Sequence, residues 1–153
     1  MATSNLSPKL VREIKARDQY ILARSKTTAS DNDKVSMLNH VALEAIIQGT
    51  DDAHSWRTLA GALNLALVLC ERGYVADGLS VVKLAHEAME NIKAKRQNGG
   101  MWVMNVPEHY RTAIEQALNV HDEQYRVCSR KALVDGLLEV ARRIDEEIGK
   151  RAA

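Results

Sequence analysis

Apolar residues recur along the chain at helical spacing, and polar or glycine-bearing breaks divide them into segments. Leu10, Ile14 and Ile21 share one face of a first helix, flanked by Val11 and Leu22. Ser7 stands in the capping position, and Pro8 takes the first helical position, where a missing N–H costs nothing. The polar run KTTASDND predicts a loop. A second helix from near Asp33 carries Val35, Leu38, Ala42, Ala45 and Ile46. Gly49 is placed to end it in a left-handed cap. Thr50 then caps the next helix, with Asp51 and Asp52 where the N-terminal dipole favours acid.

The third helix runs to about Arg72 and stops at Gly73. Trp56, Leu59, Ala60, Leu63, Ala66, Leu67 and Cys70 make one face, and Leu65, Val68 and Leu69 make much of the rest apolar. A helix apolar nearly all round belongs at the centre of a bundle. Gly61 in its middle weakens it by about 1 kcal/mol relative to Ala, which predicts a close helix crossing there. A fourth helix over residues 77–96 carries Leu79, Val82, Ala85, His86, Met89 and Ile92. It forms an antiparallel hairpin with the third across the turn GYVA. This hairpin loosely resembles one tetratricopeptide unit, with small residues at Ala66, Gly73, Gly78 and Ala85. There is no second copy, so ordinary hairpin packing is the expected reading.

The segment QNGGMWVMNVP breaks the helical pattern. It holds Met101, Trp102, Val103, Met104 and Val106 between two glycines and Pro107. Connecting segments are normally polar; an apolar one either tucks into the core or offers a sticky surface. A fifth helix begins at Pro107 with Tyr110, Ala113, Ile114, Ala117, Leu118, His121 and Tyr125. A sixth carries Leu133, Leu137, Val140, Ala141, Ile144 and Ile148. Ser129 can cap it, but the pattern also allows one continuous helix. The tail GKRAA is expected to fray.

Composition agrees with this reading. The chain has 153 residues, the length of one domain with its own core. It has no Phe, six Trp and Tyr residues and two prolines, too little aromatic and turn chemistry for an all-β fold. The expected fold is all-α, a single-domain bundle of five or six helices over residues 1–153. The third helix is central, and residues 1–7 and 149–153 are frayed.

Net charge is +1, which gives no general attraction to nucleic acid or membranes. The total conceals segregation: residues 1–30 carry +4, residues 31–92 carry −5 and residues 93–153 carry +2. The basic start either forms a contact surface or lies against the acidic middle of its own fold, the commoner arrangement. Cys70 and Cys128 form no CxxC pair, and MATSNLSPKL has no apolar leader, which implies a reducing cytoplasm. The longest apolar stretch, 59–70, is too short to cross a bilayer, so no membrane role is expected.

Catalytic patterns are sparse. His40 with Glu44 and Asp51 with His54 are single carboxylate–histidine pairs. His86 with Glu87 opens like a zinc-protease helix, but Glu90 stands where the second histidine belongs. No GxSxG or phosphate-binding glycine loop occurs. The turn at 72–79 has the glycine of a helix-turn-helix, but the helix before it is too apolar for that motif. No enzymatic activity, metal or cofactor is expected.

The segments KARDQYILAR, LNHVALEAI and LNLALVLCERG, within residues 10–75, resemble small helical accessory proteins of phages, prophages and plasmids. The resemblance implies no catalytic residues. It implies a protein that binds a host machine, including inhibitors of bacterial defence complexes of the anti-CRISPR type. The expected function is therefore non-enzymatic binding of another protein or protein complex. The candidate interface residues are Arg12, Lys15 and Arg17 on the first helix and Met101, Trp102 and Met104 in the apolar loop, since Trp and Arg are common interface anchors. A DNA-binding regulator using the basic first helix and a structural or dimeric assembly protein are the alternatives. Oligomeric state stays open.

Overall fold

Local capping decides where each helix begins and ends. The computed structural model describes residues 7–49, 53–97 and 106–152, without the side chains of residues 14, 18, 20–22, 96 and 97. These residues form six α-helices: α1 (Pro8–Arg24), α2 (Ala29–Ile47), α3 (Ala53–Glu71), α4 (Leu79–Gln97), α5 (Glu108–Val127) and α6 (Arg130–Ala152). The fold is an all-α bundle, and no strand occurs among the described residues beyond one isolated bridge between Lys26 and Ser129.

The Ser7 hydroxyl accepts from the Leu10 amide and caps α1. α2 starts earlier than the sequence pattern implies. Thr28 is its cap, accepting from the Asp31 amide at 3.1 Å, so residues 29–33 form its first turn instead of a loop. α3 ends in a Schellman motif: the Tyr74 amide bonds the Leu69 carbonyl, the Gly73 amide bonds the Cys70 carbonyl, and Gly73 sits at φ +94°. The expected Thr50, Asp51 and Asp52 cap lies outside the described residues.

The α3–α4 turn is tighter than expected. Val75 adopts a left-handed conformation at φ 53°, unfavourable for a β-branched residue, and a 3-10 turn (Ala76–Gly78) leads into α4. A buried glutamine fastens this turn from α5. The Gln124 Nε2 group donates to the Ala66 and Tyr74 carbonyls, each at 3.1 Å, and lies 3.3 Å from Cys70 Sγ.

α5 and α6 are two helices. The chain turns extended at Cys128, and the Ser129 hydroxyl caps α6 through the Ala132 amide. The Arg130 amide donates to the Ser25 carbonyl, which ties this break to the α1–α2 connection. α6 is helical through Ala152, into the stretch expected to fray.

α3 is central because it packs on two cores at once. Leu59, Leu63, Ala66 and Cys70 join Leu43, Ile46, Val82, Ala85, Ile114 and Leu118 from α2, α4 and α5. Leu65, Val68 and Leu69 join Cys128 and, from α6, Leu133 and Val140. Two opposed apolar faces explain a helix that is apolar nearly all round. The close crossing is not at Gly61, which is exposed with nothing near its missing Cβ. It is at Gly136 of α6, where a Cβ would lie 2.8 Å from Leu65 Cδ1 and 3.2 Å from Leu69 Cδ2.

Candidate functional site

α2 and α5 share a seam of polar contacts. Asn39 and His121 are both buried, with Asn39 Nδ2 3.5 Å from His121 Nδ1. An amide donor facing Nδ1 leaves the proton on Nε2 of a neutral ring. The Tyr125 ring lies 4.8 Å from the imidazole. Burial pulls the His121 pKa down to about 4, and the nearby Asp122 carboxylate only partly opposes this. Around this pair, Asp122 accepts from Ser36 at 2.8 Å and sits 3.6 Å from His40. Arg111 joins Glu44 at 2.6 Å and Glu115 at 3.0 Å.

These contacts use the groups that looked like metal-binding fragments. His40 faces Asp122 and Glu44 holds Arg111. His86 Nε2 lies 3.1 Å from the Leu63 carbonyl. Asp51 lies outside the described residues. Among the described residues, no three His, Cys, Asp or Glu side chains gather as a metal site would require. Both cysteines are buried, and burial raises both thiols, Cys128 to about 11. Neither is primed as a nucleophile at neutral pH.

A groove between α3 and α6 has a volume of about 200 Å³ and is lined by Asn64, Leu67, Val140, Ile144 and Glu147. That is smaller than the usual small-molecule site.

Among the described residues, the largest departure from a closed surface is on α6. Leu133, Gly136 and Val140 turn inward, while Val134, Leu137, Leu138, Ile144 and Ile148 remain exposed. Leu138 keeps 64% of its surface and Ile148 59%. From Ala141 to Ala152 every residue is exposed. The outward residues are ordered: Val134, Ala141 and Ile148 repeat every seven positions, and Leu137 and Ile144 repeat at the same interval three positions later. This is the a/d pattern of a coiled-coil seam. It amounts to roughly 500 Å² of apolar surface, the size of a functional patch on a monomer. Arg143 anchors its middle to α3 through Glu71 at 2.7 Å. Arg142 pairs with Glu139 and Glu146 at 2.8 Å each, which stiffens the helix beside the seam.

A smaller apolar patch lies on α2, where Met37, Leu38 and Val41 are exposed. Leu38 is thus a surface residue and not the core residue that periodicity suggested.

Arg12, Lys15 and Arg17 are exposed on α1, and none forms an ion pair with a described side chain. α1 packs chiefly against α6, not against the acidic stretch 31–92, so its bases do not neutralise the middle of the chain. Met101, Trp102 and Met104 lie outside the described residues. Leu137, Ile144 and Ile148 of the α6 seam recur at the same helical spacing as the core positions Leu133 and Val140, so the sequence does not single them out as an interface.

No family model, curated protein or solved structure matches the chain. Among the described residues, no helix is long and apolar enough to cross a membrane.

Proposed function

We propose that the protein is a non-enzymatic binding protein that recognises another polypeptide through α6. One observation carries this reading: a heptad-spaced apolar stripe lies exposed on a well-capped helix whose N-terminal half already buries Leu133, Gly136 and Val140 in the core. Exposing such a stripe to water is unfavourable, and a second apolar surface relieves it. The exposed bases Arg12, Lys15 and Arg17 lie on α1, the helix that packs against α6. The likeness to mobile-element proteins makes a host machine, including a defence complex of the CRISPR type, the first partner class to try.

Affinity capture from crosslinked cells tests the reading. The wild-type chain should retain a stoichiometric partner, and Leu137→Asp/Ile144→Asp should lose it without loss of helicity. Equal capture by both chains would remove α6 from the interface. The exposed Arg12, Lys15 and Arg17 favour a second reading, a DNA-binding regulator. It requires a steeply salt-dependent shift of duplex DNA that Arg12→Glu/Lys15→Glu abolishes.

A further inference from the structure

We infer that the α6 seam is completed by α6 of a second copy, running antiparallel. The inference rests on the reading of α6 as a binding surface and names what occupies it. A seam with a seven-residue repeat fits a helix better than a strand or a flat surface, because knobs from one helix must meet holes on another. α6 supplies such a helix with the same repeat. It is 23 residues long, or about 35 Å.

The side-chain sizes select the orientation. In an antiparallel register, Leu137 of one copy meets Ile148 of the other, and Ala141 meets Ile144, so each small side chain faces a large one. The twofold axis falls between Arg142 and Arg143. Both guanidinium groups are already held within their own chain, by Glu139, Glu146 and Glu71. The same register places Val134 of one copy beside the methylene stem of Arg151 of the other. A parallel pairing would set Ala141 against Ala141 and leave a gap. It would also align the two helix dipoles and place like-charged blocks side by side.

The area agrees with a reversible dimer. Two fully covered stripes would bury about 1,000 Å² together, the lower bound for a specific interface. The stripe is exposed to solvent with α1 in place against α6.

Sedimentation velocity on the full chain between about 5 and about 500 μM tests the pairing. A concentration-dependent monomer–dimer equilibrium is expected. Leu137→Asp/Ile144→Asp should weaken it by about 100-fold or more, because each aspartate would be buried unpaired. Mixed Val134→Cys and Arg151→Cys chains should form a heterodimeric disulfide in preference to either like-with-like product. The native thiols are buried and do not compete. A wild-type chain that stays monomeric throughout, a dimer that survives the double substitution, or like-with-like crosslinks would each overturn the inference. If the monomeric chain still captures a different protein, and the same double substitution abolishes that capture, the binding role of α6 stands and only self-pairing fails.

Discussion

Protonation of His121 should make stability fall between pH 6.5 and 4. The imidazole is 2% exposed, faces the Asn39 amide through Nδ1 and packs beside Tyr125. Its pKa is about 4 in the folded chain and about 6.5 in an unfolded one. The unfolded chain therefore takes up the proton first as pH falls. Stability is complete above pH 6.5, declines through the window, and loses nothing further from this group below pH 4. The difference corresponds to about 3 kcal/mol in all, of which about 2 kcal/mol is gone by pH 5. That is a large share of the 5–15 kcal/mol typical of a domain. Asp122 favours the charged ring and is the charged group that limits the effect. The protonated ring would also turn Nδ1 into a donor facing another donor. Urea unfolding at half-unit steps from pH 7.5 to 5 measures the slope directly. His121→Leu should flatten it, while lowering the plateau because the Asn39 amide loses its partner. An unfolding midpoint that is constant from pH 7.5 to 5, or an unchanged slope in His121→Leu, would refute the assignment.

Four further outcomes follow from the packing. Gly61→Ala should raise stability by about 1 kcal/mol, since the position is helical, exposed and open. Gly136→Ala should lower it by about 1 kcal/mol, because strain against Leu65 and Leu69 outweighs the same helical gain; chemical denaturation separates the two. Gln124→Ala should cost about 2 kcal/mol and speed amide exchange at the α3–α4 turn, where the buried Ala66 and half-buried Tyr74 carbonyls lose a donor. Cys70 and Cys128 should resist a thiol reagent at pH 7.5 in the folded chain and react together once urea unfolds it.

Much of the bundle was legible in the sequence. Ser7, Gly49, Gly73 and Ser129 mark helix ends by chemistry that acts within a few residues, and each ends or caps a helix where expected. The doubly apolar α3 announced its central place. What was illegible depends on direction and on residues distant in the chain. Thr28 looks like loop because the first turn it caps is polar. Gly61 and Gly136 are both glycines inside helices, and only the neighbouring helix distinguishes an idle one from a crossing. On α6 the apolar positions read from spacing as a single face, but they divide. Leu133 and Val140 enter the core, whereas Leu137, Ile144 and Ile148 stay outside. Periods of 3.6 and 3.5 residues are nearly alike over six turns, so spacing alone does not separate a core stripe from an interface seam. The buried trio of Asn39, His121 and Gln124 depends on contacts between helices far apart in the chain, and only His121 was placed on a buried face by its spacing.

The role of α6 is tested most directly by a photoreactive amino acid placed at position 138, the most exposed large apolar residue of the helix, and irradiated in living cells. A discrete adduct is expected, with a second copy or another protein, and it should be absent when the same group replaces Gly61 on the exposed side of α3. No adduct at position 138, or adducts of equal yield at both positions, would contradict a binding role for the helix.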